Sequence, residues 1–269
     1  MSIVLTYEQG GMLVTGGTGR VGEGVVRRLA EAGVPVVFTY RRHADAAAAL
    51  VKDLCGQGHQ VRAQPMEMAD SESIATALHR VDEEFGGLHG VACAGGPRFD
   101  FDRLMDFPIE EVERFLNGDA LGVYRVVRAA VPVLRKRGGG TITVCTTIAT
   151  RRAIEFDGLS ALSKGSVDAL VRTVAAEEAA HGIRCNGVAV GWVEQRTIEQ
   201  VREHTRLGVT DPVSKLDRIN VLMEQMLRLA RLGRPVTPEE AGTVFAFLAS
   251  RQAEYLTGQV ISLDAGALL

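Results

Sequence analysis

A short apolar run, Met12-Leu13-Val14-Thr15, breaks into Gly16-Gly17-Thr18-Gly19-Arg20-Val21-Gly22. A helical pattern follows at once, with Val21, Val25, Leu29 and Ala32 on one stripe. Gly33 stops it, and Val36-Val37-Phe38-Thr39-Tyr40 is the next apolar run. Strand, glycine turn, helix and strand in that order leave little choice of fold. A strand that must reach its parallel neighbour needs a crossover connection, and a helix supplies it. Glycines let the backbone turn tightly, and the helix start then presents unpaired N–H groups and a partial positive charge to an anion.

The alternation continues along the chain. Ala44–Gly56 reads as an alanine-rich helix, His59–Gln64 as a strand, and Ser71–Phe85 as a helix begun by Ser71. Leu88–Cys93 is a strand that runs into Ala94-Gly95-Gly96, and Ile109–Arg137 carries helical patterns broken near Asn117-Gly118. Ile142–Thr147 is an apolar strand, Gly158–Ala180 a helix and Ile183–Val190 a strand. Residues 195–232 form a charged, largely helical insertion, and Thr237-Pro238-Glu239-Glu240 opens the next helix as a capping box with Pro in the first turn. Val260–Leu263 closes the set. Strands alternating with helices predict an α/β fold: one doubly wound, Rossmann-type domain over residues 1–269, its seven-stranded parallel sheet covered on both faces.

Composition narrows the partners. A net charge of −3 gives no bulk electrostatic case for nucleic acid or an anionic membrane. The cysteines at 55, 93, 145 and 185 lie far apart with no C-x-x-C, which predicts free, buried thiols in a reducing cytosol. The histidines show no metal-binding spacing, so no metal site is expected. No apolar run reaches the roughly 18 residues of a membrane span. A cytoplasmic protein with no membrane partner is the expectation.

The glycine turn, Ser160-Ala161-Leu162-Ser163-Lys164 and the strand ending at Gly191 together resemble the short-chain dehydrogenase/reductase family over nearly the whole chain. The family's usual turn is T-G-x-x-x-G-x-G. Here Arg20 replaces the middle glycine, and Gly19 shifts the spacing to G-x-x-G-x-x-G. The resemblance implies a nicotinamide cofactor on Thr15, Gly16, Thr18, Gly19, Arg20, Val21 and Gly22, with its adenosine near Glu67, Met68, Ala94 and Gly95. Gly191 and Val193 would cradle the nicotinamide, and Lys164 would hold the ribose. An acid at the end of the second strand would select NAD, yet Tyr40-Arg41-Arg42 stands there with no acid before Asp45. Arginines suit a 2′-phosphate, so NADP(H) is favoured over NAD(H); the alternative is that Arg41 and Arg42 form a solvated turn.

The resemblance also implies a reaction site with one departure. The family's catalytic tyrosine belongs four residues before Lys164, and Ser160 occupies that place. The carbonyl-binding serine becomes Thr147, and the asparagine of the preceding helix becomes Asp119, with Asn117 close by. Serine is a poorer acid than a phenol and needs an adjacent base even to act as a nucleophile. Ser-x-x-x-Lys is similar to the site of 2,4-dienoyl-CoA reductases, whose tyrosine would fall on Ala149. Two functions follow: an NADP(H)-dependent oxidoreductase on a carbonyl or enoyl small molecule, acyl-linked in one version, with catalysis by Thr147, Ser160, Lys164 and Asp119; or a cofactor-binding, catalytically impaired homologue serving as a regulatory or structural partner. Arg98, Arg151 and Arg152 sit on loops that hold an acidic or CoA-linked substrate or are simply solvated. The insertion at 195–232 is a substrate lid or a subunit contact, and a homo-oligomer, tetramer or dimer, is implied through the helices around 109–137 and 158–180.

Overall fold

The computed structural model describes residues 4–98, 100–194 and 212–269, and the side chains among these except 212–219. Its parallel strands are β1 (Gly11–Thr15), β2 (Val36–Tyr40), β3 (Val61–Pro65), β4 (Leu88–Cys93), β5 (Gly140–Thr147), β6 (Ile183–Val190) and β7 (Val260–Leu263). They form one seven-stranded sheet in the order β3-β2-β1-β4-β5-β6-β7. The helices are α1 (Arg20–Glu31), α2 (Ala44–Gly56), α3 (Ser71–Phe85), α4 (Ile109–Gly118), α5 (Ala120–Arg137), α6 (Gly158–Glu178), α7 (Pro212–Leu229) and α8 (Pro238–Ala249). The sequence order reverses between β1 and β4, which opens a crevice at the carboxyl ends of the strands.

Both faces of the sheet are apolar because both are covered. On one face Leu13, Val91, Ile142 and Cys185 pack beneath Val81, Val126, Leu134 and Val171 of α3, α5 and α6. On the other, Met12, Val14, Phe38 and Val188 pack beneath Val25, Leu29 and Phe245 of α1 and α8. A smaller cluster gathers Ile148, Ala149, Ile154 and Ala189 under Leu222 and Met226 of α7. That part of the 195–232 segment is therefore docked on the core by its apolar side, while residues 195–211 lie outside the described residues.

Several boundaries differ from expectation. The third strand begins at Val61, two residues later than His59. The helix α3 begins at Ser71 as expected, and Asp70 caps it, its side chain accepting from the Glu72 N–H at 3.0 Å. The capping box of α8 forms as expected: the Thr237 hydroxyl accepts from the Glu240 N–H and the Glu240 carboxylate from the Thr237 N–H. All four cysteines are free, but Cys55 is exposed and only Cys93 and Cys185 are buried.

α1 and α8 meet backbone to backbone. A Cβ on Gly24 would lie 1.9 Å from the Pro238 carbonyl oxygen, and one on Gly242 would lie 2.1 Å from the Gly24 oxygen. Neither partner is a flexible side-chain tip, so a methyl group there must part the helices. Gly24→Ala is expected to lower the unfolding free energy by about 2 kcal/mol, in the range of overpacked cores. A urea unfolding curve checks this; an unchanged midpoint would show that α1 and α8 can separate without cost.

Candidate active and cofactor site

The cofactor end is built from backbone. β1 stops at Thr15, whose hydroxyl accepts from the Gly95 N–H at 3.3 Å and ties the exits of β1 and β4 together. Gly16 has φ +67°, and a Cβ on it would lie 2.4 Å from the Gly95 Cα. A Cβ on Gly22 would lie 2.1 Å from the Gly16 oxygen. The turn thus folds onto the first turn of α1, whose N-cap Gly19 offers no side chain to cap it. A concave backbone at a long helix N-terminus, with room that any Cβ would fill, suits a pyrophosphate. Thr18, Arg20 and Val21 are part-buried around it, and Gly19 is exposed. Arg20 Nη1 donates to the Glu194 carbonyl at 2.9 Å, linking the glycine turn to the segment after β6.

The end expected to hold adenosine carries a contact the sequence did not suggest. Tyr40 ends β2, and Arg41 and Arg42 follow it on the surface. Arg41 Nη1 stands 3.5 Å from the carboxylate of Glu67, both side chains being about half exposed. Met68 packs over Gly122 of α5, and Ala94 and Gly95 continue from β4 beside the glycine turn. Gly191 leaves β6 with its N–H on the Leu263 oxygen, and Val193 bridges to Val236.

The reaction end is organised on α6. Ser160 lies in its first turn and is buried; Lys164 follows one turn later on the same side of the helix. Lys164 Nζ donates to Asp119 Oδ1 at 2.7 Å, and the Ser163 hydroxyl donates to Asp119 Oδ2 at 2.7 Å. Asp119 is 1% exposed and sits at the joint between α4 and α5, just where the helical pattern breaks. A Cβ on Gly96 would lie 3.0 Å from its Oδ1, which places the pair directly under the exit of β4. Burial would depress the Lys164 pKa, but the Asp119 carboxylate more than offsets it and the ammonium is held above its usual range. Thr147 ends β5 opposite Val190 of β6, its hydroxyl accepting from the Ala149 N–H at 3.2 Å. Ala149 itself is buried in the cluster beneath α7.

Other groups were missed. Asp157, the N-cap of α6, makes no side-chain capping bond, and burial lifts its carboxyl to about 7, the nearby Ser160 hydroxyl opposing the rise. Asp168 accepts from Thr146 at 2.7 Å and from Thr150 at 2.8 Å, closing the floor behind β5. A D-x-x-S spacing at a helix start could have flagged Asp157, although such a position normally signals a bond to backbone. The thiols of Cys93 and Cys145 near Lys164 are pushed up by burial, Cys93 to about 12, and are inert.

The loop arginines have structural partners. Arg151 donates to the Ser262 hydroxyl and the Val260 carbonyl, both at β7, and Arg152 donates to the Ala267 carbonyl. Both stay exposed, as a solvated pair would, and they also clamp the loop after β5 to the C-terminal segment. Arg98 is exposed and contacts His43. Among the described residues no group of three metal-binding side chains occurs, and no helix is long and apolar enough to cross a membrane.

A family model described as enoyl-(acyl carrier protein) reductase matches residues 18–267. The chain is 26% identical to D-beta-hydroxybutyrate dehydrogenase of Rhizobium meliloti, over 94% of this chain and 96% of that protein. It is 29% identical to 3-oxoacyl-[acyl-carrier-protein] reductase of Staphylococcus aureus, over 94% of this chain and 96% of that one. Among solved structures, a short-chain type dehydrogenase/reductase from Mycobacterium ulcerans superposes with a TM-score of 0.85 at 25% identity, covering 98% of this chain and 91% of that one.

Removing one member of the buried pair strands the other. Asp119→Ala is expected to destabilise the protein by about 3 kcal/mol, the lower end for an uncompensated buried charge. Asp119→Ala with Lys164→Met should recover part of that loss, which a double-mutant cycle from chemical denaturation measures. Additive losses would show that the two side chains do not interact in solution.

Proposed function

Because the chain belongs to the short-chain dehydrogenase/reductase family, we propose that it is an NADP(H)-dependent oxidoreductase that reduces a carbonyl or an enoyl group on a small, acyl-carrying molecule. The observation that carries this reading is Lys164, held on the buried Asp119 one turn after Ser160 and under the exit of β4. A lysine kept charged at that place has a use if it binds a ribose hydroxyl. When bound, the cofactor supplies or accepts a hydride at its nicotinamide ring. The protein's share is to hold, orient and protonate.

In this reading the turn from Thr15 to Gly22 takes the pyrophosphate on backbone N–H groups. Tyr40, Arg41, Arg42, Glu67, Met68, Ala94 and Gly95 surround the adenosine, and Gly191 and Val193 lie along the nicotinamide. The preference for NADP(H) rests on Arg42 together with Arg41, whose pairing with Glu67 leaves it half exposed and able to turn toward a 2′-phosphate. Thr147 and Ser160 offer hydroxyls to the substrate oxygen and stabilise the charge that develops there. Ser160 in place of a tyrosine, with Ala149 buried, resembles the dienoyl-CoA reductases only in its Ser-x-x-x-Lys. The similarity to 3-oxoacyl-[acyl-carrier-protein] reductase supports an acyl-linked substrate. Within the 195–232 segment, α7 packs on the core through Leu222 and Met226, which supports the reading of that segment as a lid over a single domain. Exposed Leu121, Tyr124 and Leu162 on α5 and α6 suit a homodimer or homotetramer in the cytoplasm.

Fluorescence titration and absorbance of the reduced nicotinamide test the proposal together. NADPH is expected to bind at least about 10-fold more tightly than NADH, and Arg42→Ala should remove most of that preference, as expected for a charge-assisted bond worth about 1.5–3 kcal/mol. Addition of 3-oxoacyl or enoyl thioesters should then oxidise NADPH. Binding without oxidation on any ketone or thioester would favour the regulatory partner over the enzyme; no binding of either nucleotide would overturn the cofactor site.

A further inference from the structure

Arg20 stands in a turn that otherwise works by having no side chains. A Cβ on Gly16 would lie 2.4 Å from the Gly95 Cα and one on Gly22 would lie 2.1 Å from the Gly16 oxygen, so both positions exclude one. Residue 20, the first of α1, carries a long charged side chain between them, and it is part-buried. Its guanidinium reaches a residue 174 positions away, Nη1 donating to the Glu194 main-chain carbonyl at 2.9 Å.

The direction of that reach separates Arg20 from the other basic groups. The strands run β2-β1-β4-β5-β6 across this part of the sheet. α1 starts just after the exit of β1, and Glu194 follows the exit of β6. Arg41 and Arg42 follow β2, on the opposite side of β1. Arg20 is therefore drawn away from the arginine turn and toward the far wall of the crevice. Neighbouring strands lie about 4.8 Å apart, so the steps from β1 through β4 and β5 to β6 cover about 14 Å, and the Arg20–Glu194 link crosses the strand exits like a bar.

Both ends of the bar are fixed. The Glu194 N–H donates to the Val236 carbonyl at 2.9 Å, and the Val236 N–H donates to the Trp192 carbonyl at 2.9 Å. Val236 precedes Thr237, the cap of α8, and α8 lies against α1 through Gly24 and Gly242. α1, Arg20, the segment after β6 and α8 thus close a ring. The acceptor that Arg20 uses is a neutral carbonyl. A phosphate oxygen at the same turn would be a better one, because a hydrogen bond between two charged groups is shorter and roughly twice as strong.

We propose that Arg20 is a strap for the cofactor pyrophosphate, one that holds NADPH and NADH equally and takes no part in choosing between them. The proposal rests on the reading of the glycine turn as the cofactor site and adds a side-chain contact to the backbone N–H groups of that turn. It divides the basic groups by task. Arg41 and Arg42, after β2, face the 2′-phosphate; Arg20, at the start of α1, serves the two phosphates that both nucleotides share. The strap also joins phosphate binding to the segment from Gly191 to Glu194, where the nicotinamide is expected to lie. Either nucleotide leaves only when Arg20 lets go, so removing the guanidinium acts mainly on the dissociation rate.

Ligands that carry one kind of phosphate without the other separate these tasks, and none of them needs turnover. In competition titrations Arg20→Met should bind NADPH, NADH and ADP-ribose each about 10- to 100-fold more weakly, the range of one charge-assisted hydrogen bond. Adenosine 2′-monophosphate, which has no pyrophosphate, should bind as it does to the wild type. Arg20→Lys, which keeps the charge, should recover part of the loss. As the control, Arg42→Ala should show the reverse pattern, weakening NADPH and adenosine 2′-monophosphate and sparing NADH and ADP-ribose. An unchanged NADH affinity in Arg20→Met overturns the proposal. So does a loss confined to NADPH, which would put Arg20 on the 2′-phosphate, or an equal loss for adenosine 2′-monophosphate, the signature of a generally loosened turn. A wild-type protein that binds neither dinucleotide overturns the cofactor reading and the strap with it. A wild type that binds both, with a Met variant that binds them equally well, overturns the strap alone.

Discussion

The ion pair between Lys164 and Asp119 is the contact around which the site is assembled. Both groups are largely withdrawn from water, and taking two charges out of water costs several kcal/mol per ion before their attraction offsets it. The geometry meets that cost: a 2.7 Å contact, a second donor in Ser163 on the other carboxylate oxygen, and a position at the break between α4 and α5. What the pair provides is position, because it fixes the face that α6 turns toward the exits of β4 and β5. Ser160, one turn before Lys164, inherits its orientation from that bond.

Around this pair the fold works by bringing backbones together. Thr15 on Gly95, Gly16 against Gly95 and Gly22 against Gly16 draw the β1 and β4 exits into one crevice. Gly24 and Gly242 do the same for α1 and α8 behind it. The loop after β5 is held to β7 by Arg151 and to the C-terminal segment by Arg152. The crevice is therefore bounded by elements whose spacing is set by hard contacts, and its chemistry is confined to a few side chains on α6 and the strand ends.

Much of this was legible from sequence because it follows from local pattern. Strand and helix periods, the glycine turn and the Thr237 capping box each depend on neighbours within a few residues, and the structure matches them. The helix Ala44–Gly56 has the bounds its composition suggested. What stayed hidden depends on distant partners. Arg151 and Arg152 find theirs more than 100 residues away, at Val260, Ser262 and Ala267, so their tether could not be read from an arginine pair on a loop. Glu67 and Arg41 meet across the β2–β3 crossover. Asp157 departs from the ordinary cap its position predicts: its side chain makes no bond to the first turn, and Phe156 before it is left-handed.

Hydride transfer itself is the most direct test. NADPH carrying deuterium on the transferable face of the nicotinamide C4, mixed with the protein and a 3-oxoacyl thioester, should give a product with one deuterium on the former carbonyl carbon by mass spectrometry. A protein that binds the cofactor but leaves every carbonyl and enoyl substrate free of deuterium would contradict the account, and would leave the Asp119–Lys164 pair as a device for holding a nucleotide alone.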